Sequence, residues 1–529
     1  MLLPLLLLAF QQDPLAVRAD TVRPHHDALS YDIRLAVSDT GNHFVAEATT
    51  RWRLTSDDPV VVALDTSYRV VRVLVDGREN TRLHRTMFGQ ETGRVIIPHD
   101  RHAGDTVETQ VRYHGWPRDG LVIRRQGDAL TVFADNWPDR AHHWFPAQDI
   151  PADKATVTWH VEALPGYRVI ANGDLTGVDT LPNGRTQWHY RLGTPVSPYN
   201  MVLGIARFAV TDLGAAGCAV RCVPLQVWAL AADSAAAVRP FRRAGEMIDF
   251  FQEKLGAFPF ARLRHVESST IFGGMENATA IFYDQRAMGS GRLSEETVAH
   301  ETAHQWFGDN VTEADWHHLW LSEGFATFLA TEWVGHADGD SAYRRSLGAA
   351  RAAVLRSEVT RRPVLDSAAT DLMGLLNTNN YQKGALILHA LKGLVGDSAF
   401  WQGLRSYQAR FAQGTALSSD LAAVMSAAAG RDLTWFFREW LTQPGYPQLE
   451  VTRAYDARAR RLTLTVRQVQ PEEWGAWTLP QLAFGVDGTV RRADVSGRTA
   501  TVVFNDVRSA PATVTVDPEG QWLLTATVR

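Results

Sequence analysis

Two histidines four residues apart, His300 and His304, flank Glu301 in VAHETAHQWFG, and a further glutamate, Glu323, follows in SEGF. On a helix, residues i and i+4 share one face, with side chains about 6 Å apart. Two imidazoles so placed can chelate one Zn²⁺ at about 2.0–2.1 Å. Glu301 lies on the same turn and can reach water at the metal without being a ligand, the H-E-x-x-H arrangement of zinc hydrolases. Ser294 is a ready N-cap, and the acidic residues that follow it suit a first helical turn. The rival reading, two histidines on an ordinary helix, explains neither the intervening acid nor this setting. A catalytic zinc takes three protein ligands and keeps one open position. His317, His318 and Glu323 are candidates for the third, and spacing does not choose among them. The metzincin scheme fails, because Phe307 and Asn310 stand where a glycine and a histidine are required.

Two other stretches carry residues of the right type. GGMEN at 273–277 places Glu276 after two glycines, and NNYQKGALILHAL at 379–391 places Tyr381 before an apolar helical run. Taken alone, the first reads as a glycine turn with a solvated acid, and the second as a tyrosine used in packing.

The elements that must position these residues follow from patterning. A chain of 529 residues exceeds one ordinary core, and two to four domains are expected. At 45% apolar and 21% charged, with 17 Trp and 22 Phe, the chain has the composition of a folded protein rather than a disordered one. A net charge of -5, with no basic run, argues against nucleic-acid binding. Period-2 runs such as YDIRLAV, TVETQVRYHG and ATVTWHVEAL predict an N-terminal antiparallel β domain over 20–212. Helical spacing then dominates, with helices expected at 293–308, 322–335, 341–357, 381–395, 398–412 and 432–442, so 213–445 reads as a mostly helical domain. Within it, VESSTIFGGMENATAIFYD looks extended. The breaker cluster QPGYP closes that domain, and alternation returns over 446–529 as a small β-sandwich. The whole is α+β and multidomain.

MLLPLLLLAF opens the chain. Ten apolar residues are too few to span a bilayer. They suit the apolar core of a secretory signal within 1–19, which implies a secreted or periplasmic protein; a disordered tail on a cytoplasmic protein is the alternative. No stable membrane span is expected. Cys218 and Cys222 fit either a local disulfide or two free thiols. The Asn-x-Thr sequences at Asn277 and Asn310 are read as chance, since a glycan would obstruct the motifs.

Together these motifs resemble the gluzincin zinc aminopeptidases of the aminopeptidase-N and leukotriene-hydrolase type. The resemblance extends to SYDIRL, HWFPAQDIPADKAT and WLTQPGYPQLEV, and so to nearly the whole chain. It implies a thermolysin-like catalytic domain with one Zn²⁺, held by His300, His304 and Glu323, the glutamate separated from the second histidine by eighteen residues. It implies Glu301 as general base and Tyr381 as donor to the oxyanion. GGMEN resembles the family's G-x-M-E-N motif, which implies that Gly273, Gly274, Met275, Glu276 and Asn277 bind a peptide substrate by its free N-terminus, with Glu276 on the ammonium. Three departures stand out. Ser322 replaces the usual Asn before Glu323, and Gln382 replaces the usual Glu after Tyr381. FADNW lies where a second amine-binding side chain is expected, so that Trp137 stands opposite that position and Asp135 is the candidate substitute. The resemblance is to a short form, expected to be without the large helical C-terminal domain of many members. An endopeptidase or an epoxide-opening hydrolase on the same metal, or a scaffold without catalysis, are the alternatives.

Overall fold

The computed structural model describes residues 13–18, 26–82, 84–88, 92–127 and 129–529, with side chains from 83 to 92 left out. The apolar run 1–10, expected as a leader, lies outside the described residues. Strand formation in the N-terminal region follows its alternation. Ala155–Ala163 buries every second residue, including Val157, Trp159 and Val161, because neighbouring side chains of a strand point to opposite faces. An eight-stranded sheet runs in the order Asp174–Thr180, Thr186–Val196, Ala155–Ala163, Asp27–Val37, Phe44–Arg53, Thr106–Gly115, Arg69–Val75, Arg78–Glu79. It is not wholly antiparallel as expected: Asp27–Val37 pairs in parallel with Ala155–Ala163, strands more than 100 residues apart. A four-stranded and a three-stranded sheet pack with it in one core.

The central region begins with a five-stranded sheet in the order Phe208–Ala216, Val223–Leu230, Leu263–Ser268, Ala280–Asp284, Gly274–Met275. Residue 213, where the texture of the sequence changes, lies inside its first strand. Cys218 and Cys222 form a disulfide in the turn that follows. The stretch around GGMEN is extended, as expected, and Gly274–Met275 is an edge strand. Helices follow at Glu295–His304, Trp320–Asp338, Asp340–Arg356, Gly384–Val395, Asp397–Phe411 and Thr434–Thr442. A further helix, Ser418–Ala429, was not anticipated. No helix among the described residues is long and apolar enough to cross a membrane.

Two helices set the site. Trp320–Asp338 and Gly384–Val395 cross where Gly324 meets Gly384, and a Cβ on Gly324 would stand 3.1 Å from the Gly384 Cα and 3.2 Å from the Asn380 carbonyl. That close approach brings the first turn of one helix, with Glu323, against the segment that carries Tyr381. The C-terminal residues form two small sheets, one of four strands and one of three. They rest on the last helix, where the Trp440 and Trp522 rings stack at 5.9 Å.

Candidate metal centre and its cleft

The helix Glu295–His304 starts where Ser294 accepts a hydrogen bond from the Thr297 N–H at 3.0 Å, with Glu295 and Glu296 in the first turn. It ends with His304, whose Nδ1 donates to the Phe307 carbonyl at 2.9 Å. Burial lowers the His304 imidazole, but Glu323, Glu276 and Glu301 raise it, and the net is well above its ordinary value; in the neutral ring this bond would leave Nε2 as the acceptor. Phe307 stacks on Phe325 at 4.1 Å, which packs the ligand helix against the next one. Glu323 enters from that helix's first turn.

Three acceptor atoms converge here. His300 Nε2 lies 3.1 Å from His304 Nε2 and 3.2 Å from Glu323 Oε2, and His304 Nε2 lies 3.3 Å from the same oxygen. A tetrahedron with bonds of about 2.0–2.1 Å has edges of about 3.3–3.4 Å. The donor set therefore fits a Zn²⁺ in both size and chemistry: two imidazoles and a carboxylate with a cation due between them. His317 and His318 do not join it. His317 bonds Asp315 at 2.7 Å and the Ala369 carbonyl at 2.9 Å; His318 bonds Ser418 at 2.8 Å and the Val17 carbonyl at 2.7 Å. Tertiary structure thus brings Glu323, and neither His317 nor His318, to the two histidines. Ser322 turns away from the trio and donates to the buried carboxylate of Glu313.

A cavity of about 370 Å³ opens over the trio, and its walls include Trp137, Phe272, Gly274, Glu301, Tyr381 and Gln382. Tyr381 sits in a π-helical turn, Asn379–Lys383, rather than in the first turn of the α-helix. The Asn379 side-chain amide holds that turn by donating to the Val359 and Arg362 carbonyls, each at 2.9 Å. The Tyr381 hydroxyl donates to Glu323 Oε1 at 2.8 Å, and its ring lies parallel to that of His300.

Glu276, Glu301 and His304 offer atoms within 4.8 Å of one another. Burial pushes the Glu301 carboxyl well above the carboxylate range, against the pull of His304. Burial likewise raises Glu276, again opposed by His304. A cation placed beside this carboxyl would relieve part of that cost. Gly274 presses on Glu301 so closely that a Cβ would overlap the carboxyl group. Gly274→Ala is therefore expected to displace Glu301 and lower kcat by about tenfold or more while bound metal is unchanged. Metal analysis beside steady-state kinetics checks this, and parallel loss of metal would show a wider collapse.

Asp135 is 1% exposed and does not line the cavity. Its carboxylate pairs with Arg140 at 3.0 Å and accepts from the Ile271 N–H at 3.1 Å, so it braces the loop that leads to GGMEN. Trp137 takes the wall position instead. Asn277 and Asn310 are both buried. Gln305, next to His304 and in contact with the Glu276 backbone at 2.7 Å, escaped the sequence reading, although it stands immediately after the motif.

Comparison with known proteins places this site. Residues 240–440 match the Peptidase family M1 domain, and residues 27–199 match the Peptidase M1 N-terminal domain. The chain belongs to peptidase family M1. This family is of the gluzincin, aminopeptidase-N type and is zinc-dependent. Among its M1 relatives, a leucyl aminopeptidase of Saccharolobus solfataricus is 27% identical over 427 residues, covering 75% of this chain and 51% of the relative. A probable aminopeptidase 1 of Sulfurisphaera tokodaii is 30% identical, covering 78% and 52%. A glutamyl aminopeptidase of Bos taurus is 24% identical, covering 70% and 41%. The chain thus spans about half the length of the curated relatives it matches.

Proposed function

We propose that the chain is an aminopeptidase with one Zn²⁺, held by His300, His304 and Glu323 in a thermolysin-like catalytic domain, which removes the first residue of peptides with a free N-terminus. The observation that carries this is the juxtaposition of two buried acids, Glu276 and Glu301, beside the ligand His304. One acid serves as an anchor for an ammonium and the other as a base, with carboxylate atoms within 4.8 Å of each other.

Zn²⁺ at this trio supplies Lewis acidity, which polarises a carbonyl and acidifies water. The edge strand Gly274–Met275 has a free side on which a peptide backbone can add as a further strand. Glu276 holds the α-ammonium. With the positive charge of Zn²⁺ nearby to offset its burial, Glu301 would be ionised; it takes a proton from the attacking water onto its carboxylate and returns it to the leaving amine nitrogen. The Tyr381 hydroxyl swings its donor from Glu323 to the oxygen of the tetrahedral centre.

A panel of fluorogenic aminoacyl amides, assayed with and without chelator and with zinc returned, tests the proposal. Cleavage that chelator abolishes and zinc restores is expected, with N-acetylated counterparts resistant. Equal cleavage of the N-acetylated set would overturn it in favour of an endopeptidase. Tyr381→Phe is expected to lower kcat by about 10²-fold with little change in KM. A change confined to KM would remove Tyr381 from the chemistry.

A further inference from the structure

Glu276 measures a substrate only if its distance from the metal ligands is fixed. The loop that follows it, Asn277–Thr279, is not a conformation the chain holds by itself, because Thr279 has φ +68, a left-handed backbone that a β-branched residue rarely adopts. Its stability must come from outside the loop. Gln305, fully buried and one residue beyond His304, supplies the contact from the metal side. Its Nε2 donates to the Glu276 carbonyl at 2.7 Å, and its Oε1 accepts from the Thr279 N–H at 3.0 Å. One carboxamide therefore grips the loop at both ends.

The orientation of that carboxamide is also determined. Its Nε2 faces the Glu276 carbonyl, which only accepts, and its Oε1 faces the Thr279 N–H, which only donates; Nε2 makes a second bond, 2.6 Å long, to Asp309 Oδ2. A flipped amide would set oxygen against oxygen at Glu276 and N–H against N–H at Thr279. Asp309 is held in turn: its carbonyl accepts from Lys154 Nζ at 2.8 Å, on a half-buried lysine from the N-terminal region. The opposite side of the loop is met by Asn172, which donates to the Ala278 carbonyl at 2.8 Å, and by the Gly173 N–H, which donates to Thr279 Oγ1 at 2.7 Å.

We propose that Gln305 is a positioning residue: it locks the Glu276 loop to the backbone of the ligand His304 and thereby couples N-terminal ammonium recognition to the metal centre. This rests on the aminopeptidase reading. It deepens that reading by assigning the exopeptidase restriction to a residue that touches neither metal nor substrate.

The test compares two hydroxamates, identical but for the α-amine, bound to zinc-loaded protein in a calorimeter. Both engage the metal, and only one engages Glu276. Wild type is expected to prefer the amine-bearing compound. In Gln305→Met that preference should fall about tenfold or more, with the amine-free compound bound as before and zinc content unchanged. A merely structural role would weaken both compounds equally, and a fully kept preference would equally overturn the proposal. Should Gln305→Met fail to fold, Gln305→Glu keeps the shape and the acceptor for the Thr279 N–H but has at most one proton for the two acceptors, the Glu276 carbonyl and Asp309 Oδ2, that the amide serves. The same selective loss is then expected, and an unchanged ratio counts against Gln305. A wild type with no preference for the amine would instead sink the aminopeptidase reading itself.

Discussion

Glu301→Gln is expected to retain a full equivalent of zinc and to lose about 10²–10⁴-fold in kcat. The substitution keeps the volume of a side chain that is buried against Gly274, so packing gives no reason for the cavity to change shape. What disappears is the ability to take and return a proton. Each tenfold in rate is about 1.4 kcal/mol, so the loss corresponds to about 3–5 kcal/mol of barrier. The ligand trio does not include Glu301, and His300, His304 and Glu323 keep their mutual spacing without it. Metal content by elemental analysis and kcat on the preferred aminoacyl amide are the two readings needed. Full zinc with undiminished turnover would remove Glu301 from the base role. Loss of zinc would mean that the carboxylate supports the ligand helix instead.

How much of this was legible in sequence depended on the distance over which each feature is set. The pairing of His300 with His304 is local helical geometry, and it was readable from four residues. The approach of Glu323 to that pair was not, because the path from His304 to Glu323 is fixed by the Phe307–Phe325 stack and by the partners that occupy His317 and His318. Only the family resemblance selected Glu323 in advance. Asp135 looked available beside the expected amine site. Its engagement by the Ile271 N–H, 136 residues away, leaves no trace in the local pattern. The parallel pairing of Asp27–Val37 with Ala155–Ala163 was hidden for the same reason: alternation gives the buried face but not the neighbour. Ser418–Ala429 was missed because LAAVMSAAA is small and apolar all round and shows no periodic face. Tyr381 read as the start of a helix, whereas the regular helix begins at Gly384 and the tyrosine belongs to a π-turn clamped by Asn379.

Removing Glu323 should have the other largest effect. Glu323→Ala leaves two imidazoles from a single helix, and the carboxylate that crosses from the second helix is lost. Even loss of an outer hydrogen-bond partner of a ligand costs about 10–100-fold in metal affinity, so loss of the ligand itself should exceed that. The variant is expected to emerge from purification with little zinc and with activity at least about 10³-fold down at low zinc. Its stability should change in a diagnostic way. A metal that binds only the folded state raises Tm with occupancy, so chelator should lower the wild-type Tm and leave that of Glu323→Ala nearly unchanged. The Tyr381 hydroxyl, which now donates to Glu323 Oε1, also loses its partner, so excess zinc should restore metal in part but not the full rate. Thermal scans with and without chelator, beside a zinc titration of activity, separate these effects. A variant that keeps zinc and a chelator-sensitive Tm would show that the third ligand lies elsewhere.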